Sequence, residues 1–255
     1  MSLANAAAVL HWLKRDRVDV AVGELSAAMD WPKSSASRLL KDMAAHGLLE
    51  RDPASRRYRP GLLMLELSRQ YLSREPLIEA VDAELRELTA RTGYSTGISI
   101  LDGTDIVVLR SRAGTNPLRV VTPPGTRGPA WANSTGRCLL ARLPDAEIAR
   151  RFTPFPPPAR PGAPNDLAAL MQRIAVTRQR GFDESNDEAL AGVSGISVAI
   201  LDPEGSTPFS PYFAFSAAQV GRPERQELAD MLLDMAARLG GTPKPALDLL
   251  ETAHG

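Results

Sequence analysis

The chain has 255 residues, 44% of them hydrophobic, which is enough to bury one large core or two smaller ones. Lys plus Arg and Asp plus Glu each total 30, and this balance excludes a long acidic or basic tail. A single cysteine cannot form an intramolecular disulfide, no secretory signal is recognisable, and no apolar run reaches the roughly 18 residues of a membrane span. We therefore expect a soluble, cytoplasmic protein with no membrane partner.

Three helices are predicted in the N-terminal part of the chain, because apolar residues recur there at helical spacing over Leu3–Lys14, Val22–Met29 and Lys33–His46. Pro32 separates the last two, since proline disfavours helix in the residue before it and fits the first turn of the next helix. The third helix has a basic, short-chained face and an apolar face. The apolar face consists of Ala36, Leu39, Leu40 and Met43.

A cationic hairpin is predicted next. Two short strands, Leu48–Arg51 and Arg56–Arg59, flank a turn at Asp52–Ser55. Up to Pro60 the chain carries ten Lys or Arg residues against seven Asp or Glu residues. Helical spacing from Leu62 to Arg74 then predicts a linker helix.

The C-terminal part reads as a mixture of helices and antiparallel strands, with a proline-dense loop over 152–164. Predicted helices are Leu77–Arg91, Arg137–Arg142, Leu167–Gln179 and Glu224–Leu239. Predicted strands are Ser95–Leu101, Ile106–Arg110, Leu118–Val121, Ile196–Leu201 and Tyr212–Ser216. We expect an α+β protein with a winged helix-turn-helix over 1–60, a linker helix over 61–75, a ligand-binding domain over 76–242 and a frayed tail over 243–255.

The order helix, tight turn, helix and cationic hairpin is that of a winged helix-turn-helix, which places its second helix in the major groove of duplex DNA. The candidate base and phosphate contacts on that helix are Lys33, Ser34, Ser35, Ser37, Arg38 and Lys41. Arg56, Arg57 and Arg59 on the hairpin are candidates for phosphate or minor-groove contacts. The alternative is an amphipathic helix and a charged hairpin that form only a solvated surface.

The chain resembles the IclR family of bacterial transcriptional regulators. Three stretches carry the resemblance: Gly23-Glu24-Leu25 through Pro32-Lys33-Ser34-Ser35 to Ser37-Arg38-Leu39-Leu40, then Gly47 to Asp52 with Arg57 to Gly61, and Arg180-Gly181-Phe182 through Glu188 to Ser197 and Asp202. The resemblance implies a homodimer on a palindromic double-stranded DNA operator, or a dimer of such dimers. It also implies a GAF-like C-terminal α/β domain with an antiparallel sheet that binds a small metabolite, often a carboxylate.

The resemblance also implies where the small-molecule effector binds. Backbone groups of Trp131, Ala132, Asn133 and Ser134 line the site at a helix N-terminus, where Asn133 or Ser134 can cap the helix. The alternative is that the segment beginning at Asn133 simply starts a helix. Polar side chains of the family map onto Ser185, Gly195, Ala214 and Ser216, where relatives carry Asp, Cys, Ser and Ser, so a less polar pocket and a more apolar effector are expected. Trp131 stands where relatives usually carry histidine. Its side chain either lines the effector pocket as an aromatic wall or only fills space in the core.

Catalysis is not expected. The three histidines are scattered, no Cys or His pair has metal-ligand spacing, and no phosphate-binding or dinucleotide motif is present, so we expect neither a metal nor another cofactor. The acidic group Asp183, Glu184, Asp187 and Glu188 is interpreted as a solvated turn, and Cys138 as a small core residue. The alternative function is a metabolite-binding or enzymatic module whose winged helix is a protein-interaction platform.

Overall fold

A computed structural model of the chain describes residues 2–13, 17–72, 76–116, 120, 122–157, 160–201 and 207–240. The chain divides into two compact units, residues 1–74 and 75–255. No helix within the described ranges is long and apolar enough to cross a bilayer. The strand predicted over Leu118–Val121, apart from Val120, and the tail over 243–255 lie outside the described residues.

The first unit contains three helices, a two-stranded hairpin and a fourth helix. These elements are α1 (Leu3–Leu13), α2 (Val22–Met29), α3 (Lys33–Ala45), β1 (Leu49–Arg51), β2 (Tyr58–Pro60) and α4 (Leu62–Leu72). The hairpin gains a third, single-residue partner because Val20 and Tyr58 exchange backbone hydrogen bonds of 2.7 and 2.8 Å. This is the predicted winged helix-turn-helix.

The turn between α2 and α3 is fixed by local backbone geometry. Asp30 takes the left-handed conformation with φ 53° and ends α2. The Ser26 hydroxyl then donates a 2.6 Å hydrogen bond to the carbonyl of Trp31, which joins the last turn of α2 to the residue before Pro32. The resulting three-residue turn reverses the chain, so that α3 packs across α2.

One apolar cluster holds the first unit together. The predicted apolar face of α3 is buried as a whole, which confirms the periodicity argument. It meets Val9 and Leu13 of α1, Leu25 of α2, and Leu49 and Tyr58 of the hairpin. By contrast, α4 has no buried residue within the unit, and it exposes Leu62, Leu65, Leu67 and Tyr71.

The second unit is a six-stranded antiparallel sheet with helices on both faces, so the predicted fold class is confirmed. Its helices are α5 (Pro76–Thr92), α6 (Ser134–Leu140), α7 (Asp145–Arg151), α8 (Leu167–Arg180) and α9 (Arg222–Leu239), with a short 3₁₀ helix at Ala130–Ala132 before α6. Its strands are β3 (Ser95–Asp102), β4 (Asp105–Arg112), β5 (Arg127–Pro129), β6 (Phe182–Asn186), β7 (Val193–Val198) and β8 (Phe209–Ser216). Their order across the sheet is β5-β4-β3-β8-β7-β6.

The two faces of this sheet have different characters, because side chains alternate along each strand. One face carries Thr96, Ile196 and Phe213 in register and packs on α5, where the hydroxyls of Thr89 and Thr96 are 2.7 Å apart. The opposite face carries small residues and packs on α6. The 3₁₀ helix, α7 and α8 add a separate apolar cluster around Ile148, Phe152 and Leu170.

Four elements of this unit were not predicted from the sequence: β5, β6, the 3₁₀ helix and α7. Each is short, between three and seven residues, so periodicity gives little signal. The strand β6 was hidden for a further reason, since its acidic residues were interpreted as a solvated turn.

Candidate DNA-binding and effector-binding sites

The outer face of α3 presents five exposed side chains, Lys33, Ser34, Ser35, Arg38 and Lys41, and the partly exposed Ser37. Within the part of the chain that the structure describes, the charged ends of Lys33, Arg38 and Lys41 make no ion pair. Because α3 buries only its apolar face, this polar face can enter a major groove without rearrangement.

The turn of the hairpin is organised by one carboxylate. Asp52 Oδ1 accepts hydrogen bonds from the backbone N–H groups of Ala54 (2.9 Å) and Ser55 (2.6 Å) and from the Ser55 hydroxyl (3.0 Å). These bonds lower the pKa of Asp52. The backbone N–H of Arg56 donates to the Asp52 carbonyl (2.9 Å), and Arg56 takes a left-handed conformation with φ 59° at the tip, where its side chain is exposed.

The other two arginines of the hairpin are engaged inside the unit. The guanidinium of Arg57 donates to Asp19 (2.7 Å) and, with two nitrogens, to both oxygens of Glu24 (2.9 and 2.7 Å). The hydrogen bond from Arg57 is the main cause that lowers the pKa of Glu24. Arg59 Nε lies 2.5 Å from Glu50 Oε1. That these arginines contact phosphate or the minor groove stays a prediction; of the three, only Arg56 makes no ion pair with the described residues.

In the second unit, the sequence-predicted effector residues meet in one row across the sheet. Ser185 of β6 pairs with Gly195 of β7, and Gly195 pairs with Ala214 of β8. The row continues to Ser95 of β3, which the sequence analysis missed. Ser216 lies two residues beyond Ala214 and so projects from the same face.

The N-terminus of α6 covers this row. A β-carbon added at Gly195 would lie 3.2 Å from the Ser134 hydroxyl oxygen and 3.4 Å from that of Ser185. The Ser134 hydroxyl is itself 2.7 Å from the Ser197 hydroxyl. The hydroxyls of Ser185 and Ser216 have no hydrogen-bond partner among the described residues, although Ser185 is only 7% exposed. Two hydroxyls on this face of the sheet are thus unpaired among the described residues.

Asn133 is the residue that caps α6. Its side-chain oxygen accepts from Gly136 N (2.7 Å) and its amide nitrogen donates to the Pro129 carbonyl (2.6 Å). Gly136 is required here, because a β-carbon would overlap the backbone of Ala130. The loop before α6 therefore lies directly against the first turn of the helix, and Ala132 is fully buried in it.

Tyr212 closes the far side of the row. It belongs to β8, pairs with Ser197 and with Gly97, and shares the face of Ala214. A β-carbon at Gly97 would overlap the Tyr212 hydroxyl, so the glycine makes room for the ring. Burial raises the pKa of Tyr212 to about 12, against hydrogen bonds with Ser111 and Thr122 that lower it. The phenol is therefore neutral at neutral pH.

The Trp131 side chain belongs to the core, the second of the two interpretations offered by the sequence. It is 3% exposed and its ring centroid lies 5.5 Å from that of Phe155, within the apolar cluster around Phe152. The indole is therefore a core side chain and not a candidate effector contact. The backbone of Trp131 stays close to the site, since its carbonyl accepts from Arg137 Nη1 at 3.1 Å.

A buried ion-pair network, which the sequence analysis missed, joins α6 to β6. The Arg137 side chain is 0% exposed and contacts Asp183 (2.7 Å), Glu188 (2.6 Å) and the Glu184 carbonyl (3.0 Å). Burial alone would lower the pKa of Arg137, but the two carboxylates raise it. The interpretation of this acidic segment as a solvated turn is wrong for Asp183 and Glu188, which are 5% and 3% exposed.

The remaining reactive groups are inert or dispersed. Cys138 is buried, its thiol donates to the Ser197 carbonyl (3.1 Å), and burial raises its pKa, so it packs as a small core residue. Among the described residues, no group of three His, Cys, Asp or Glu side chains could hold a metal ion.

Two family models match this chain. The IclR helix-turn-helix domain matches residues 2–53, and the C-terminal domain of the bacterial transcriptional regulator IclR matches residues 69–240. The second match alone covers more than half of the chain. Together they include α3 and every residue of the row across the sheet.

Known relatives agree with these matches. The HTH-type transcriptional regulator XynR of Escherichia coli K12 is 26% identical over 208 residues, which cover 80% of this chain and 81% of XynR. An IclR regulator from Alicyclobacillus acidocaldarius has a TM-score of 0.81 at 20% identity, covering 93% of this chain and 96% of that one. An IclR homologue from Microbacterium hydrocarbonoxydans, complexed with 4-hydroxybenzoate, has a TM-score of 0.78 at 20% identity, covering 93% and 98%. The two structures share the fold of this chain.

Replacing Arg137 with Met should destabilise the second unit by about 3–5 kcal/mol, because it leaves two carboxylates buried without their partner. Urea unfolding followed by Trp131 fluorescence, in a Trp12→Phe and Trp31→Phe background, measures the effect. Arg150→Met is the control, since the Arg150 side chain is 73% exposed and should change stability by less than about 0.5 kcal/mol. Equal midpoints for the two variants would contradict the structural role of Arg137.

Proposed function

This chain belongs to the IclR family of bacterial transcriptional regulators, and on that premise we propose that α3 reads a DNA operator while a small effector binds between α6 and the sheet. The chain is a regulator rather than an enzyme, as its relatives are. The observation that carries the effector proposal is the row Ser185-Gly195-Ala214 beneath Ser134. The unpaired cations of α3 carry the DNA proposal.

We assign different tasks to the two kinds of cation on the first unit. Arg38 lies in the middle of the exposed face of α3, where a guanidinium can bind a guanine edge with two hydrogen bonds. Arg56, at the tip of the hairpin, is placed to contact phosphate or the minor groove. Arg57 acts indirectly, because its ion pairs with Asp19 and Glu24 hold the hairpin against the start of α2.

The effector that we propose is a small, moderately apolar carboxylate. The row supplies hydroxyls and no charged side chain, so a fully polar acid would be poorly compensated there. The free hydroxyls of Ser185 and Ser216 can donate to carboxylate oxygens, and Ala214 and Gly195 add no polar side chain to the site. A relative of this fold binds 4-hydroxybenzoate, which is such a molecule.

For the effector to act as a switch, it must bind one arrangement of the protein more tightly than another, because equal affinity shifts no equilibrium. The ligand would touch α6 and the edge strand β6 together, and these are the two elements that Arg137 joins. A coupling free energy of about 1–3 kcal/mol between effector and operator binding would be ordinary.

We also propose a homodimer on a palindromic operator, because one winged helix reads only a half-site. The surface of α1 offers a pairing face: Leu3 is 87% exposed, and the half-buried Ala7 and Ala8 allow close approach, whereas Ala6 packs against the apolar cluster of its own unit. The exposed leucines of α4 add apolar area that a partner can cover.

The DNA assignment predicts that Arg38→Ala costs about 1–3 kcal/mol on the operator and relaxes sequence discrimination, whereas Arg56→Ala weakens all sequences alike and lowers the salt slope by about 1. Fluorescence anisotropy on operator and random duplexes at two salt concentrations separates the effects of the two substitutions. Equal losses on both duplexes for Arg38→Ala would remove Arg38 from base reading. Binding insensitive to salt would favour a protein-interaction role for the winged helix.

The effector assignment predicts that Ser185→Ala and Ser216→Ala each weaken effector binding about tenfold, the effect of losing one hydrogen bond to a charged group. The ligand is first found by thermal shift with small aliphatic and aromatic carboxylates, and its affinity is then measured by calorimetry. Ser194→Ala is the matched control, because Ser194 lies on the opposite face of β7 and bonds Asn186 at 2.6 Å. Operator affinity without effector should stay at the wild-type value. Normal effector binding by both site variants would place the pocket elsewhere.

The dimer proposal predicts a mass of two chains in light scattering at micromolar concentration, and Leu3→Glu should shift the distribution toward monomer. Val18→Glu is the control, since Val18 is 84% exposed and lies outside α1. A monomer for the wild-type chain, with or without operator DNA, would refute the proposal.

A further inference from the structure

A cleft of about 810 Å³ lies along the free edge of the sheet at β6. Its lining does not include Ser134, Ser185, Gly195 or Ala214, so it is distinct from the proposed effector site. One wall is the face of α8 that carries Arg173 and Arg180, and the opposite wall is the first turn of α9 with Arg222 and Arg225. The volume lies within the range of roughly 300–1,000 Å³ that small-molecule sites occupy.

The acidic groups of this cleft are already neutralised. Glu188 is shared between Arg137 (2.6 Å) and Arg173 (2.7 Å). Asp183 is paired with Arg137 and also accepts from the Thr177 hydroxyl. Glu184 is paired with Arg225. A ligand in the cleft therefore meets little uncompensated negative charge.

Two guanidinium groups remain without a carboxylate partner among the described residues. Arg180 stacks on the ring of Phe182 at 4.0 Å, and this contact orients its planar group over the cleft floor. Arg222 is the first residue of α9, whose N-terminus has no side-chain cap and begins next to Gly221 in the cleft lining. Two free positive charges thus face one concavity from opposite walls, an arrangement that raises the potential inside it.

We propose that this cleft binds a small oxyanion with two negative charges, the chemistry of a phosphate monoester. Arg180 and Arg222 would each bind oxygens of the phosphate through paired N–H groups, the geometry in which a guanidinium matches an oxyanion. The cleft is far larger than one phosphate group, so the organic part of the ligand lies along Val176 and Val220. This site does not depend on the proposed effector site or on operator binding.

The test is a titration of the full chain with glycerol 3-phosphate and with inorganic phosphate, by calorimetry and ³¹P NMR at ionic strength held constant with chloride. Arg180→Gln and Arg222→Gln should each weaken the binding of glycerol 3-phosphate at least tenfold. The melting temperature should not change, because both side chains are exposed. Weaker binding of inorganic phosphate than of glycerol 3-phosphate is expected, because only the ester uses the rest of the cleft.

Two controls locate the ligand. Arg150→Gln removes an exposed arginine that pairs only within its own helix, and Arg38→Gln removes one from α3, where phosphate could imitate DNA. Both should bind glycerol 3-phosphate as the wild type does. An unchanged affinity in the double variant of Arg180 and Arg222, a loss in either control equal to theirs, or no binding beyond that of chloride would overturn the proposal.

Discussion

One buried guanidinium constrains most of the second unit. Arg137 comes from α6, and its nitrogens contact the Trp131 carbonyl before that helix, Asp183 and the Glu184 carbonyl on β6, and Glu188 beyond β6. Moving two carboxylates and a guanidinium out of water costs several kcal/mol for each ion, and only a fully paired arrangement recovers it. The network therefore permits little displacement of α6 relative to β6. Since Ser134 and Ser185 belong to these two elements, the width of the proposed effector site follows from the same constraint.

The network also has two sides. The row of small residues lies toward Ser185, and the arginine-lined cleft lies toward Glu184 and Glu188. Glu188 forms ion pairs with the buried Arg137 and with the half-exposed Arg173, so it contacts both the buried network and the cleft. A ligand that moved β6 from either side would have to break or lengthen bonds of Arg137. This gives a physical route by which two sites could influence each other, because both act on one strand whose position is held by one set of ion pairs.

The sequence predicted most of the first unit and much less of the site. The apolar face of α3 was visible because Ala36, Leu39 and Leu40 follow the helical period, and the local pattern determines the local structure. Asp183 and Glu188 follow no such period, and their burial depends on Arg137, 46 and 51 residues earlier in the chain. Charged residues are exposed by default unless they are paired, so only knowledge of the partner could have reversed that interpretation. The one available signal was Arg137, the only charged residue in α6.

The arginines of the hairpin differ in whether they have a carboxylate partner within the unit. A count of cations assigns Arg56, Arg57 and Arg59 equally to DNA, yet Arg57 has three hydrogen bonds to Asp19 and Glu24 within the unit. Glu24 also accepts a hydrogen bond from Ala21 N at 3.1 Å, so the ion pair of Arg57 with Glu24 links the hairpin to the N-terminal cap of α2. Since α2 packs directly on α3, the ion pairs of Arg57 can set the angle between the hairpin and the recognition helix. Loss of operator affinity on removing Arg57 would then report the geometry of the domain, and a change in salt slope is what distinguishes a phosphate contact from such a support.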